Sequence, residues 1–470
     1  MRSVIRIAAV SSVVMGALAL SSAALATNGY FTHGVGAESK GMAGAGVGSR
    51  AFSGPIIVAS NPALGVFANE GWEVGLSIFS PRRSYEAIGP GAGGQMGTFS
   101  LTPGKIDSSS EYFPIPYVAK NWRLDNDRAV TFVFYGRGGM NTDWDSSAAS
   151  ATSLFCAPPG ATDPATGPGP FCAGEAGVDL SQAFVSLNYA GRSGDNFSWG
   201  IGPVLAFQAF EATGVASFTP ITKSFYQNFL ATGQPGPVDS LSNNGHDFSY
   251  GLGVSGGIWY GFTDNISVGL AYQSKMSMSE FAKYSDPFAE AGAFDIPSSA
   301  KLGVSFGGAG PLRLHIDVEH TMYSDVASIN NPMQNILGCP TTASAQNPNP
   351  NDPESCLGGG RGAGFGWEDM TTAKVGFEWA TSDSNTFRFG ASFGEQPIQS
   401  ADVLFNILAP GVMEEHYTIG WTHTTQRGSA WTASFMYAPE SKVIGPNFFD
   451  PFQQIELTMD QMEFEVAFRW

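Results

Sequence analysis

The C-terminal residues of this chain alternate between large apolar and mostly charged side chains. Met462, Phe464, Val466, Phe468 and Trp470 share one parity, and Glu463, Glu465, Ala467 and Arg469 share the other. Successive side chains of a β-strand point to opposite faces, so this strand has one apolar face and one ionic face. The pattern is typical of a barrel wall between lipid and a polar lumen, with an aromatic residue at the interface. On this strand alone, the edge strand of a soluble sandwich is the alternative.

Residues 1–26 have the pattern of a secretory signal peptide. A basic start at Arg2 and Arg6 precedes an apolar run, and the small residues Ala24 and Ala26 fit a cleavage site. The run is too short for a transmembrane helix. We therefore expect export and cleavage after Ala26.

Composition agrees with a large exported β-structure. Without Arg2 and Arg6 the net charge is about −20, which disfavours binding to nucleic acid because phosphates would be repelled. Charged residues make up 14% of the chain, against roughly 25% in typical soluble domains, and aromatic residues make up 13%. Few charges and many aromatic residues suit a sheet whose outer face never meets water.

After Gly71 the two-residue alternation recurs about fourteen times. The segments are 72–78, 113–117, 130–134, 185–189, 197–210, 250–260, 266–272, 302–306, 312–318, 375–379, 387–393, 417–421, 431–437 and 455–470. Short connections alternate with long ones at 81–111, 138–178, 211–246, 277–297, 323–367, 396–413 and 439–453. This layout predicts an all-β fold, a transmembrane antiparallel β-barrel of about 14 strands. A parity change between Met459 and Met462 predicts a β-bulge near Asp460.

Four cysteines in an exported chain favour disulfides. Of the three possible connectivities, the local pairs Cys156–Cys172 and Cys339–Cys356 are the simplest, because each closes a short loop. Metal binding is the alternative, but the spacings are far from C-x-x-C, so we expect no metal. No cofactor is expected either.

The inward face of the predicted wall carries ionic residues. Lys374, Arg388, Arg313 and Lys301 are candidates for binding a ligand carboxylate in the lumen. An ion-pair network that braces a wide barrel is the plainer interpretation of the same residues.

Residues 27–70 do not alternate, and they are rich in glycine and alanine up to the motif Asn61-Pro62-Ala63. A wide barrel would leak without a stopper, so this segment is predicted to be an N-terminal plug, or hatch, inside the barrel. A disordered leader is the alternative. The expected domains are thus a signal peptide at 1–26, the hatch at 27–70 and the barrel at 71–470.

Several short motifs resemble those of the FadL family, outer-membrane transporters of long-chain fatty acids and other hydrophobic compounds. They are Asn61-Pro62-Ala63, Tyr272-Gln273-Ser274-Lys275 (with Gln where the family has Arg), Asp295-Ile296-Pro297, Lys301-Leu302-Gly303-Val304, Val375-Gly376-Phe377-Glu378-Trp379, Pro397 and His416-Tyr417. Each motif is weak alone, but their order and spacing cover nearly the whole mature chain.

The resemblance implies passive uptake of hydrophobic small molecules across the bacterial outer membrane. Ligand would be captured at outer loops, the hatch would rearrange, and ligand would leave sideways at a kink in the third strand. Here that strand contains Gly136, Gly138 and Gly139, which we predict to form the lateral gate. The start of a plain loop is the alternative interpretation of these glycines.

Surface capture is assigned to an amphipathic helical pattern in the third long loop, with Phe225, Phe229 and Leu230 as candidates. A surface helix that packs on its own loop would show the same pattern.

Other functions remain as alternatives: a general porin, or a surface adhesin or structural antigen on the same barrel. An enzyme is not expected. Residues 253–257 match a nucleophile-elbow motif but lie inside an alternating strand with no following helix. The expected partners are a hydrophobic small molecule, outer-membrane lipid and lipopolysaccharide, and the barrel-assembly machinery, which would read the C-terminal strand. A monomer is expected.

Overall fold

A computed structural model describes residues 29–158, 160–234, 236, 238–342 and 347–470. In this part of the chain, fourteen antiparallel strands form one closed sheet, as predicted. They are β1 Gly71–Ile88, β2 Phe113–Arg123, β3 Arg128–Trp144, β4 Ala176–Ser193, β5 Phe197–Thr213, β6 Asp247–Thr263, β7 Ile266–Gln273, β8 Ser299–Phe306, β9 Leu312–Thr321, β10 Met370–Ser382, β11 Asn385–Gly394, β12 Glu415–Thr424, β13 Ala430–Asn447 and β14 Asp450–Arg469. Each strand pairs with the next, and β14 pairs with β1, so the sheet is a barrel.

The outer face of the barrel is apolar. In β14, Phe464 is 51% exposed, whereas its neighbours Glu463 and Glu465 are buried on the inner face. Large outward side chains recur around the wall, among them Trp72, Leu76, Leu205, Leu270, Leu302, Leu312, Trp379, Ile419, Trp421 and Trp431. A continuous exposed apolar surface of this kind is stable in lipid and not in water.

Helices are few and short in the described residues. They are α1 Ala37–Lys40, α2 Lys223–Thr232, α3 Ala289–Gly292 and α4 Ala327–Asn330. Within that described part, no helix combines the length and apolarity needed to cross a bilayer. Short loop strands lie at Ser100–Leu101, Gly104–Asp107, Ser150–Ser153, Ala165–Pro168 and Ser277–Met278.

Tight turns and long loops segregate to opposite ends of the barrel, with one correction. The predicted loop at 439–453 is wrong, because β13 and β14 form a continuous hairpin with only residues 448–449 between them. The outward face of this hairpin includes polar residues such as Lys442 and Glu456, which is typical of a loop, although the inward residues Ile455 and Leu457 are buried. The predicted loops at 81–111 and 138–178 begin several residues later than expected, since β1 runs to Ile88 and β3 to Trp144.

The predicted bulge exists, but on the neighbouring strand. Ala438 pairs with Gln461 and Ser441 pairs with Met459, so the two residues 439 and 440 of β13 oppose Asp460. β14 itself keeps its alternation, and Met459 faces inward like Glu463. The strand therefore does not flip. Its inward residues change along the chain, from apolar at Ile455, Leu457 and Met459 to ionic at Glu463 and Glu465.

Both local disulfides are confirmed. Cys156–Cys172 and Cys339–Cys356 are bonded, with Cα–Cα distances of 5.5 and 4.6 Å, and each closes part of a long loop. Near the second, the Arg361 guanidinium hydrogen-bonds Asp352 and holds the pKa of that carboxyl below its ordinary value.

Candidate functional site

The N-terminal segment (residues 29–70) contacts the inner wall on several sides. The Gly46 and Val47 amides donate to Asp317 of β9 at 2.7 and 2.8 Å, and the Ala43 amide donates to Thr418 of β12 at 2.9 Å. On another side, the Trp259 indole of β6 donates to the Gly48 carbonyl at 2.9 Å. These buried hydrogen bonds satisfy backbone groups that the irregular segment could not pair by itself.

Small residues make this close approach possible. A Cβ atom on Gly48 would lie 2.7 Å from the Gly303 carbonyl oxygen, and one on Gly390 would lie 2.2 Å from the Met42 carbonyl carbon. The glycine-rich composition therefore has a packing role, because backbone meets backbone at the wall.

Asn61 of the predicted hatch motif is fully buried and fixes a turn. Its side-chain oxygen accepts from the Ala63 amide at 3.0 Å, which caps the 3₁₀ turn Pro62–Val66. Its amide nitrogen donates to the carbonyls of Val47 and Ile258 at 3.0 and 3.2 Å, so it joins the segment to β6.

The four predicted lumen cations all face inward, and each is already paired with a carboxylate. Lys374 and Lys301 contact Glu319 at 2.7 and 3.0 Å. Arg388 contacts Glu378 at 2.8 Å, and Arg313 is also paired with Glu378. None of the four lines the cavity described below. Their geometry fits the bracing network, and a ligand-binding role for them stays a prediction.

Sequence reasoning missed two further parts of this network. Lys40 of α1 is paired with Glu463 and lies 2.6 Å from Glu465 of β14. Arg137 of β3 reaches Glu319 at 3.0 Å. The inward parity of the two β14 carboxylates was visible in the sequence, but their partner lies hundreds of residues away.

A cavity of about 660 Å³ lies between the N-terminal segment and the wall. This volume is in the usual range for small-molecule sites, roughly 300–1,000 Å³. Its lining is mostly apolar, with Phe31, Phe113, Met140, Met436 and Met459 among the contributors.

Gly136, Gly138 and Gly139 also line this cavity. The alternative interpretation of these glycines, the start of a plain loop, is wrong because β3 continues through them to Trp144. The register of β3 against β4 shifts between Gly136 and Gly138, and inward residues are odd-numbered before this bulge and even-numbered after it.

Pairing between β2 and β3 stops at this point. Tyr117 opposite Tyr135 is the outermost pair of the two strands, although β2 continues to Phe113 along β1 and β3 continues along β4. Two of the four leftover β2 residues, 114 and 116, are prolines and have no backbone N–H. Beside Gly136 to Met140, no backbone hydrogen bonds of the sheet therefore join β3 to β2, and the wall is interrupted there.

The N-terminal segment occupies part of this free edge of β3. Phe31 forms an isolated antiparallel bridge with Gly138. The Thr32 amide donates to the Arg137 carbonyl at 2.8 Å, and the Gly139 amide donates to the Tyr30 carbonyl at 3.1 Å. The same short stretch thus lines the cavity and touches the opening in the wall.

The predicted capture residues lie on α2, in the long loop between β5 and β6. Thr222 caps this helix by accepting a hydrogen bond from the Phe225 amide at 3.2 Å. Phe229 and Leu230 are 46% and 65% exposed, so their apolar surface faces outward from the loop. The predicted signal peptide lies outside the described residues, as do Thr27 and Asn28.

The protein is a closed, fourteen-stranded β-barrel of the outer-membrane type, and its N-terminal segment lies inside the barrel. Its fold is that of the FadL-type transporters of hydrophobic compounds. The toluene transporter TodX of P. putida has 15% identity and a TM-score of 0.56 over 93% of this chain and 98% of its own. A Pseudomonas aeruginosa FadL homologue has 14% identity and a TM-score of 0.60 over 94% and 99%.

The Ralstonia pickettii toluene transporter TbuX is similar at 15% identity and a TM-score of 0.55, over 93% of this chain and 98% of that one. No family model and no curated protein matches the sequence. At these identities the likeness establishes the fold, and function must be argued from the site.

Proposed function

We propose that this protein carries hydrophobic small molecules passively across the bacterial outer membrane and releases them sideways through its wall. The observation that carries the proposal is the coincidence of an apolar cavity with the break in β2–β3 pairing, since Gly136 and Ile115 line both. The fold neighbours include proteins described as toluene transporters, which supports a hydrophobic ligand.

Residues 27–70 act as the hatch in this scheme. The barrel lumen would otherwise be an aqueous pore, from which an apolar ligand gains nothing. The bonds from Asp317, Thr418 and Trp259 hold the hatch against the wall, so a straight path is blocked and the lateral path is favoured.

Hatch rearrangement is the second part of the proposal. Tyr30 and Thr32 hold the free edge of β3 through only two backbone hydrogen bonds. Their release would free the edge of the opening without disturbing the barrel ladder. Ligand first collects on outer loops, where Phe229 and Leu230 of α2 offer exposed apolar surface.

The same proposal includes a cleaved signal peptide at 1–26, a monomeric barrel at 71–470 surrounded by lipid and lipopolysaccharide, and assembly through the C-terminal strand. It involves no cofactor and no catalysis.

The test is uptake of radiolabelled toluene and oleate by cells that depend on this protein, comparing Gly136→Trp with wild type. A Cβ at Gly136 would meet Ile115 Cγ2 at 2.7 Å, across the opening, so the indole would fill it. Gly256→Trp is the matched control, because Gly256 lies on the wall with only one atom, a carbonyl oxygen at 3.8 Å, near its Cβ position.

We expect Gly136→Trp, and likewise Gly138→Trp, to reduce uptake to the level of cells without the protein. Gly256→Trp should transport normally, and all variants should show the heat-dependent gel mobility of a folded barrel. Normal uptake by folded Gly136→Trp and Gly138→Trp would remove the lateral gate. Steady conductance of the wild type in planar bilayers would favour a general porin instead, and binding without uptake would favour an adhesin.

A further inference from the structure

Lys120 of β2 places a charge on the outward face of the barrel wall. Its strand neighbours on that face, Val118 and Trp122, are apolar or aromatic, whereas Ala119 and Asn121 are buried on the inner face. A lysine that faces lipid is unfavourable, by an amount that becomes small only near the edge of the bilayer. The position therefore raises the question of what the ammonium group binds.

The protein supplies no counter-charge for this ammonium group. Within the described part of the chain, Lys120 takes part in no ion pair, and its contacts are with two indole rings, whose centres lie 5.7 Å (Trp72) and 5.8 Å (Trp122) from its Nζ atom. The acids that follow it in the chain, Asp125 and Asp127, are paired with arginines of β3 and β4. The charge on Lys120 is thus free for an external anion.

The two indoles place further donors beside the ammonium group. Trp72 of β1 lies directly opposite Lys120 in the β1–β2 register, and Trp122 lies on the same strand and the same face as Lys120. They are 39% and 40% exposed, and neither indole N–H has an acceptor among the residues that the structure describes. Cation–π contact orients an ammonium group and leaves it N–H donors for an acceptor. Lys120, Trp72 and Trp122 therefore form a set of donors, the Lys120 cluster, without an acceptor from these residues.

The Lys120 cluster lies at the end of the barrel that carries the tight turns. β2 ends at Arg123, and residues 124–127 connect it to β3. The Trp72 amide donates to the Trp470 carbonyl at 2.9 Å, so the cluster lies beside another outward tryptophan at this edge of the wall. In outer-membrane barrels the tight turns face the periplasm, and aromatic girdles mark the level of the lipid headgroups. A long lysine side chain reaches that level from a lipid-facing position.

We infer that the Lys120 cluster binds the phosphate of an anionic phospholipid in the periplasmic leaflet of the membrane. An ammonium group and a phosphate form short, charge-assisted hydrogen bonds, and an indole N–H at the interface adds a neutral donor. The acyl chains then lie along the apolar wall beyond the cluster, where Val74 and Val118 face outward. None of the three cluster residues lines the cavity, so the inference does not depend on what the protein transports.

The test is native mass spectrometry of the purified full-length mature barrel in a neutral detergent, with equal amounts of palmitoyl-oleoyl phosphatidylglycerol and palmitoyl-oleoyl phosphatidylcholine. The two lipids share acyl chains and a phosphate, but only phosphatidylglycerol carries a net negative charge. We expect the wild type to retain phosphatidylglycerol about 5-fold more than phosphatidylcholine, the factor that one basic residue at an anionic surface supports. Lys120→Met, whose unbranched side chain suits contact with lipid, should retain the two lipids alike.

Two variants serve as controls. Lys442→Met removes an outward lysine of β13 that is paired with Glu456 and lies toward the other end of the barrel, so it should keep the wild-type preference. Lys120→Arg keeps the charge and should keep the preference as well. Heat-dependent gel mobility checks that each variant is a folded barrel, and Lys120→Gln replaces Lys120→Met should the latter not fold.

Equal retention of both lipids by the wild type, or an undiminished preference in the folded Lys120→Met barrel, would overturn the inference. Lipid A, offered in place of phosphatidylcholine, tests which leaflet supplies the phosphate. Retention of phosphatidylglycerol in that competition supports the periplasmic leaflet. Displacement of phosphatidylglycerol by lipid A in the wild type but not in Lys120→Met would assign the site to the outer leaflet and refute the phospholipid assignment.

Discussion

Substitution of Glu319 by glutamine should loosen the hatch where it touches the lateral opening. Glu319 is 2% exposed and receives Lys374 at 2.7 Å, Lys301 at 3.0 Å and Arg137 at 3.0 Å. Glutamine keeps the shape but removes the negative charge that Lys374, Lys301 and Arg137 share. Removing one partner of a buried pair destabilises by about 3–5 kcal/mol.

The effect is local because two of these three residues also contact the N-terminal segment, Lys374 through its ammonium group and Arg137 through its backbone carbonyl. Lys374 donates to the His33 carbonyl at 2.7 Å, and the Arg137 carbonyl accepts from the Thr32 amide at 2.8 Å. A loss of about 3 kcal/mol corresponds to opening that is about 100-fold more frequent, since 1.4 kcal/mol is tenfold. Amide exchange reports such openings directly.

The assay is hydrogen–deuterium exchange with mass spectrometry on the purified barrel, read at peptides that cover residues 30–33. We expect Glu319→Gln to exchange about 100-fold faster there, with little change in the strands distant from it. Asp460→Asn is the control, because it breaks the exposed pair with Arg82, and such pairs contribute only about 0–1 kcal/mol. Unchanged exchange at 30–33 in a folded Glu319→Gln barrel would refute this coupling.

Two further predictions concern the hatch motif and an outer loop. Asn61→Ala should lower the stability of the N-terminal segment by about 1–3 kcal/mol, because it removes the hydrogen bond that caps Ala63 and leaves the Val47 carbonyl without its donor. Hydrogen–deuterium exchange at the amides of this segment measures the change. Exchange at the wild-type rate would contradict the prediction. Reduction of Cys339–Cys356 should make the enclosed loop sensitive to protease, since a disulfide that closes a loop of this length stabilises by about 3 kcal/mol. The tight turns at the other end of the barrel should stay resistant. Equal cleavage before and after reduction would contradict the prediction.

The strand pattern was predictable because it depends on local alternation. A residue on a barrel wall faces either lipid or lumen, so its polarity indicates which face it is on. Segments such as 312–318 can therefore be recognised as strands without knowledge of the strands beside them. The local disulfides followed from the short separation of their cysteines.

The failures share a physical cause, since beyond the apolar band of the wall the polarity of a residue no longer indicates which face of the sheet it is on. The end of the β13–β14 hairpin carries outward residues such as Lys442 and Glu456, whose polarity is typical of a loop. The first strand shows the same effect, because Pro81 and the charged pair Arg82-Arg83 interrupt the alternation in the sequence, although β1 continues to Ile88. The gate role of Gly136, the capture role of Leu230 and the signal peptide stay predictions.

Contacts within the lumen could not be predicted from sequence. Ion pairs such as that of Lys40 with Glu463 join residues 423 positions apart, and a single sequence carries no mark of which charges meet. The sequence indicated that the interior would be ionic, but not which cations and carboxylates would pair.

The bond between Lys40 and the last strand also has a consequence for how the molecule is made. Lys40 lies near the start of the chain, whereas its partners Glu463 and Glu465 lie on β14, the last strand, which closes the barrel by pairing with β1. The strand that closes the barrel against β1 is therefore also the strand that holds Lys40, so the closure of the sheet and the fixing of the N-terminal segment depend on the same twenty residues, Asp450–Arg469.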